Sequence, residues 1–247
     1  MSAIWATLTR ELRAYFLSPL AYIVGTLLLL VNGFVFWIIV AFLNDPRSGG
    51  SATPLDLFFG QTLFFWLVLL FITPIITMRL ISEERRSGTI ETLLTAPITE
   101  GQVVVAKFLA AFALYAFLWV PTLAYAGILA YYSDVDWGPV AAGYLGILGI
   151  GALFLSVGML ATALTRSQLI AALLTFAMLV PLFSFGLLEM LINDETLRQV
   201  LGYLNLWQHM DELGKGVVDT RRLVYYVTGP ALFLFLATRA LAVRRWR

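Results

Sequence analysis

The chain lacks most of the residues on which soluble enzymes and metal proteins depend. It has no cysteine, so it can form neither a disulfide framework nor a thiolate metal site. Its one histidine, His209, excludes the paired histidines of metalloproteases. The net charge is only +1, which gives no electrostatic basis for a nucleic-acid partner. These absences exclude the disulfide-rich, thiolate-metal and nucleic-acid-binding classes.

Apolar side chains are what the sequence has in excess. They make up 60% of the 247 residues, and charged residues make up 13%, against roughly 25% in ordinary soluble domains. The mean hydropathy is +0.87. A soluble fold of this size could not bury so many apolar side chains and still cover its surface. The composition therefore predicts an integral membrane protein.

Six apolar runs are long enough to cross a bilayer. A spanning helix needs about 20 residues, because the hydrocarbon layer is ~30 Å thick and a helix rises 1.5 Å per residue. The runs cover residues 20–43, 57–78, 103–132, 140–164, 169–192 and 223–243. They are apolar on every side, unlike the alternating strands of a β-barrel. We therefore predict an all-α polytopic membrane protein with six transmembrane helices.

The distribution of positive charge predicts the orientation. If both termini lie on one side, eleven of the 16 Lys and Arg residues lie on that side and five on the other. Positive residues are enriched in cytoplasmic loops. Both termini are therefore expected in the cytoplasm.

Residues 2–18 have the pattern of an N-terminal amphipathic helix. Arg10 and Arg13 lie opposite an apolar face formed by Ile4, Trp5, Leu8, Leu12, Tyr15 and Phe16. A helix of this kind lies in the cytoplasmic interface, with its arginines among the lipid phosphates. A simple topology anchor would give the same pattern.

The segment 193–222, between the fifth and sixth spans, is long enough to fold by itself. Its apolar residues recur at helical spacing up to Gly214 and Gly216, which are natural helix stops. The spacing predicts one or two short helices that rest on the outer interface, with His209 on their surface. They would form a lid, a docking surface or merely a folded connector.

The loop 79–102 carries the densest charge and contains its own helix punctuation. Gly88 can break or cap a helix, with Glu91 three residues later, and Pro97 ends the helix that follows. Thr99 and Gln102 form a second capping box. The pattern predicts a charged helix continuing the second span, a turn at Ser87–Gly88, and a short helix at 89–96. An ordinary charged hairpin loop remains the alternative.

Several signatures of chemistry are absent from the sequence. There is no phosphate-binding G-x-x-x-x-G-K-[ST] motif, so ATP hydrolysis is not expected in this chain. The glycine run from Gly146 to Gly151 lies within an apolar span, where it indicates close helix packing. Three charged residues, Lys107, Glu189 and Arg239, lie near span ends, where they can snorkel. A membrane enzyme for lipid-linked substrates would need a convergent polar cluster that the spans do not show.

The string from Glu83 to Thr99 closely resembles the coupling region of ABC-2-type permeases, the membrane subunits of ABC transporters. The predicted topology also matches that family, so the resemblance covers residues 1–247 as a single ABC-2-type transmembrane domain. Within the family the chain is most similar to the gliding-motility-associated (GldF-like) permease group. That narrower similarity rests on residues 216–226, before the sixth span.

The resemblance implies that the short cytoplasmic helix docks on a separate ATP-binding subunit, which holds ATP and Mg²⁺. It assigns charged contacts to Glu83, Glu84, Arg85 and Arg86, the turn to Gly88, and the docking helix to Thr89, Ile90, Glu91, Leu93 and Leu94. It further implies a second permease copy, identical or related, an accessory protein reaching the external side, and the bacterial inner membrane. The chain itself would bind no cofactor and catalyse no reaction. A scaffold for surface machinery that transports nothing is the other interpretation.

Overall fold

The computed structural model describes residues 3–45, 54–82, 99–191 and 194–243, and over these ranges the chain is helical without a β-strand. Its main helices are α1 (Ala3–Leu17), α2 (Pro19–Leu43), α3 (Leu63–Thr77), α4 (Glu100–Trp119), α5 (Leu123–Tyr132), α6 (Trp137–Leu164), α7 (Gln168–Leu191), α8 (Glu195–Leu204), α9 (Leu206–Gly214) and α10 (Thr220–Val243). Shorter helical turns lie at Pro54–Asp56, Leu57–Gln61 and Val120–Thr122. The all-α prediction is confirmed for the described residues.

Five of the predicted spans correspond to helices that are long and apolar enough to cross a membrane. They are Pro19–Leu43, Glu100–Tyr132, Trp137–Leu164, Gln168–Glu189 and Thr220–Val243. The second of these contains α4 and α5, joined by the short turn that includes Pro121. The bounds agree with the predicted spans to within a few residues.

The second predicted span, 57–78, is interrupted near its start. Gly60 has a φ of +82°, which breaks the helix, and a regular helix begins only at Leu63. The Trp66 indole donates a hydrogen bond of 2.8 Å to the Gly60 carbonyl and fixes this turn. The remaining helix, α3, has 15 residues and is about 22 Å long, shorter than the ~30 Å hydrocarbon layer. The count of six spans therefore stays a prediction.

Helix α6 forms the centre of the bundle. Of its most apolar stretch, 78% is buried by other helices. Five of its six glycines each lie against a side chain from another element: Phe59 at Gly143, Met210 at Gly146, Tyr226 at Gly149, Tyr115 at Gly151 and Thr77 at Gly158. A Cβ atom at any of these positions would lie less than 3 Å from that side chain. The prediction that the glycine run serves close helix packing is confirmed.

The outer helices α2, α7 and α10 keep much of their apolar surface uncovered. Only 28%, 22% and 22% of their apolar stretches are buried. Their exposed side chains include Leu30, Trp37, Leu173, Val227 and Phe235. Lipid tails are as apolar as leucine, so such surfaces are stable when they face a bilayer.

Different helices meet at the two ends of the bundle. At one end α3 finishes and α4 begins, and α1 packs against both; we call it the terminal end. At the opposite, distal end, α6 begins, and α9 packs beside Gly146 in its first turns. The segment 83–98, predicted to couple the protein to a partner, connects two helices at the terminal end.

Candidate functional site

The ten residues predicted to contact an ATP-binding subunit lie outside the described residues. They are Glu83, Glu84, Arg85, Arg86, Gly88, Thr89, Ile90, Glu91, Leu93 and Leu94. The structure describes the two points where their segment leaves the bundle, which we call its roots: residues 76–82, at and after the end of α3, and residues 99–107, the cap and first two turns of α4. The roles of the ten residues stay a prediction.

The second root has the capping box that the sequence predicts. The Thr99 hydroxyl accepts a 3.3 Å hydrogen bond from the Gln102 amide, and the Gln102 side chain accepts one of 3.2 Å from the Thr99 amide. These reciprocal bonds satisfy two backbone N–H groups that have no partner inside the helix. The root is thereby fixed at the first turn of α4.

The first root differs from its prediction. A charged helix was expected to continue beyond residue 78, but α3 ends at Thr77 and residues 78–81 form a turn. In a continuing helix the Leu80 amide would bond to the Ile76 carbonyl. It bonds instead to Thr77, and the Tyr15 hydroxyl donates to the Ile76 carbonyl at 3.1 Å. Tyr15 therefore satisfies the end of α3 from outside the helix.

Helix α1 binds the other root as well. The Lys107 ammonium, one to two turns into α4, lies 3.0 Å from the Glu11 carboxylate. Its sequence position predicts that the Lys107 side chain extends toward water. The side chain is instead only 2% exposed. The Phe16 ring packs edge-on against Phe117, about 15 Å farther along α4. The predicted N-terminal helix is present, and it packs along the bundle.

The first root is also held by the central helix. Gly158 of α6 lies against the side chain of Thr77, the last residue of α3. The Thr77 hydroxyl donates back to the Thr73 carbonyl at 2.9 Å, and both threonines are fully buried. A movement of the first root therefore shifts α3 relative to both α1 and α6.

At the distal end α9 is inserted among the spans. Leu206, His209, Met210 and Leu213 have almost no exposed surface. The prediction that His209 lies on the surface is wrong, because α9 packs into the space left by the glycines of α6. Sequence periodicity identified the helix, but it could not identify which helices of the same chain would bury the face that carries His209.

His209 lies in a buried polar network. Its Nε2 atom is 2.8 Å from the Arg222 guanidinium, which can only donate, and 3.1 Å from the Tyr203 carbonyl, which can only accept. Nδ1 is 3.2 Å from the Tyr226 hydroxyl. Arg222 also makes two 3.1 Å bonds to the Glu212 carboxylate. Burial and the adjacent Arg222 cation lower the pKa of His209 from 6.5 to about 4.

The lowered pKa predicts that acid weakens the distal end. Between about pH 6.5 and pH 4 the unfolded chain binds a proton at His209 and the folded chain does not. The free energy of unfolding should therefore fall over this range, by at most ~3 kcal/mol. Thermal unfolding in detergent from pH 8 to pH 4.5 measures this loss.

The control for this pH profile is His209→Gln, which retains an acceptor for Arg222 and does not titrate. Since His209 is the only histidine, the difference between the two profiles isolates its contribution. The variant should lose less stability than the wild type below pH 6.5. Parallel profiles would contradict the prediction.

Within the described ranges no cluster of three or more His, Asp or Glu side chains could hold a metal ion. What the described site provides is mechanical: two helix roots, both bonded to α1, at one end of a tightly packed bundle. Helices bonded to one another in this way can move as a rigid unit.

Comparison with models of known protein families gives a match. A family model described as "ABC-2 family transporter protein" matches residues 18–182, about two thirds of the chain. The matched region runs from the start of α2 into α7 and includes both roots and the segment between them. A search of curated proteins finds no match.

Proposed function

The chain belongs to the ABC-2 family of transporter proteins, and we propose that it is the permease subunit through which a separate ATP-binding subunit drives transport or mechanical work. Membership makes it a membrane transport component that crosses the bilayer several times. The coupling contact is proposed at residues 83–94. The partner, rather than this chain, would bind ATP and Mg²⁺.

The observation that carries this proposal is the double attachment of α1. Tyr15 bonds the end of α3, and Glu11 bonds Lys107 of α4, so one helix holds both roots of the segment. A push on the segment would displace α1, α3 and α4 as a unit instead of bending a free loop. Through the contact between Thr77 and Gly158, the displacement would reach the central helix.

The proposed orientation places the terminal end in the cytoplasm of a bacterial cell. The excess of Lys and Arg at that end supports this orientation. An ATP-binding partner would then have access to the segment 83–98 from the cytoplasm. The distal end, with α8 and α9, would face the outside, where an accessory protein could reach it.

Two further parts of the proposal concern assembly. The exposed apolar faces of α2, α7 and α10 leave room for a second permease copy, identical or related, within the bilayer. The similarity of residues 216–226 to the gliding-motility-associated group favours a role in surface machinery. The ATP-driven step would be the same whether the complex transports a substrate or drives surface machinery.

The coupling proposal is tested by purification in mild detergent together with the products of the neighbouring reading frames. A P-loop protein should co-purify, and Glu91→Ala should lower the ATP hydrolysis rate of the complex about fivefold or more. That factor is the lower end of typical coupling free energies of ~1–3 kcal/mol. Gly88→Val should have a similar effect, because a branched side chain resists the turn.

The matched control is Asp134→Ala, which removes one exposed negative charge at the distal end. Its hydrolysis rate should equal that of the wild type. If no P-loop protein co-purifies, or if Glu91→Ala and Asp134→Ala hydrolyse ATP equally fast, the segment is only a connector and the proposal fails.

A further inference from the structure

A small cleft opens at the terminal end, where α1, α2 and α3 meet. Its volume is about 180 Å³. Its polar lining residues are Glu11, Tyr15, Ser18 and Arg79, and its apolar lining is formed mainly by Leu20, Ile75, Ile76 and Leu80. The cleft thus combines a cation with an apolar wall at the level where the spans end.

An apolar groove continues from this cleft between α2 and α3. It has a volume of about 270 Å³ and shares Ile75 with the cleft. Its other lining residues are Val24, Leu27, Leu28, Val31, Phe64, Leu67, Val68, Phe71 and Ile72. From Ile75 to Phe64 it follows eleven residues of α3, about 16 Å, which is roughly half of the ~30 Å hydrocarbon layer. Its length therefore corresponds to one leaflet.

The charges in the cleft favour a phosphate. Within the described part of the chain Arg79 is exposed and has no ion-pair partner. The Glu11 carboxylate, in contrast, is already bonded by Lys107 at 3.0 Å and by Arg10 at 2.8 Å. A guanidinium binds phosphate oxygens through two parallel hydrogen bonds. Arg79 is thus the available cation, and the nearby anion is compensated.

We propose that the cleft and the groove together bind one phospholipid of the leaflet at the terminal end. Its phosphate bonds to Arg79, and one acyl chain lies along the groove between α2 and α3. The groove opens toward the hydrocarbon layer of the bilayer, which consists of acyl chains. The lipid then contacts α1 and the first root at once. This proposal requires only that the chain is embedded in a membrane, and it is independent of the proposed coupling to ATP hydrolysis.

The test is native mass spectrometry of the full chain extracted in mild detergent. The wild type should retain one phospholipid mass per chain. Arg79→Gln should reduce the retained fraction about tenfold, as expected for the loss of hydrogen bonds to a charged group. Val68→Phe, which fills the groove without touching the cleft, should reduce it as well. Arg166→Gln, which removes an exposed cation at the same end but outside the cleft, is the matched control and should retain the wild-type fraction.

A second measurement identifies the ligand chemistry. Delipidated protein is supplied with dioleoyl phosphatidylethanolamine, with oleate or with inorganic phosphate, and its thermal unfolding is recorded. The phospholipid should raise the unfolding temperature of the wild type, because a ligand that binds the folded state stabilises it, and should raise that of Arg79→Gln much less. Equal lipid retention by wild type, Arg79→Gln and Val68→Phe would overturn the proposal. An equal stabilisation by oleate or by phosphate alone would overturn it too.

Discussion

Replacing Glu11 by Gln should lower the free energy of unfolding by about 3 kcal/mol, the cost of breaking a buried ion pair from one side. The change removes the carboxylate that lies 3.0 Å from the Lys107 ammonium, and that ammonium is only 2% exposed. The Lys107 ammonium then loses the attraction of the Glu11 carboxylate without gaining water. Thermal unfolding of the purified protein in detergent measures the loss.

Two variants separate stability from positioning. Arg10→Gln removes the exposed partner of Glu11, and an exposed pair contributes at most ~1 kcal/mol, so little should change. The double variant Glu11→Gln with Lys107→Met removes both charges of the pair and should recover most of the lost stability. Its ATP hydrolysis in the complex should nevertheless be lower than that of the wild type, because the ion pair between α1 and α4 is absent. Full hydrolysis in the double variant would show that the ion pair only stabilises the fold.

Hydropathy predicted five of the six spans because each is one continuous apolar run, which forms a single helix in four cases and the pair α4 and α5 in the fifth. It could not detect the break at Gly60, since Phe58 and Phe59 keep the run apolar. Two contacts accompany the positive φ of Gly60: its carbonyl accepts a hydrogen bond from Trp66, and the Met210 side chain occupies the place that a Cβ atom would take. The mean hydropathy of a sequence window reports the composition of that window and contains no information on such contacts.

The same distinction applies to the candidate site. The capping box at Thr99 and Gln102 was predicted because its partners are three residues apart. The bond from Lys107 to Glu11 joins residues 96 positions apart, and the bond from Tyr15 to Ile76 joins residues 61 apart. Pairs at such distances leave no periodic signal in one sequence. Sequence alone therefore located the segment, and the structure revealed the helix that holds its roots.

Gly158→Ala should destabilise the protein by roughly 1–3 kcal/mol, the usual cost of overpacking a core. The new Cβ atom would lie 2.4 Å from Oγ1 of Thr77 and 2.7 Å from its Cβ, which is fixed to the backbone. Side-chain rotation cannot relieve the second contact, so α3 must move away from α6 at the first root. Thermal unfolding measures the stability, and ATP hydrolysis by the complex should fall with it.

Gly127→Ala is the matched control, because a Cβ at that helical position meets nothing within 4 Å. Alanine favours a helix over glycine by up to ~1 kcal/mol, so this variant should be as stable as the wild type or slightly more stable. The same preference acts at position 158, which means that any loss there understates the steric cost. Adding Thr77→Gly to Gly158→Ala removes the three clashing atoms and should restore both stability and hydrolysis. If the double variant stays as impaired as the single one, the contact between α3 and α6 does not position the first root.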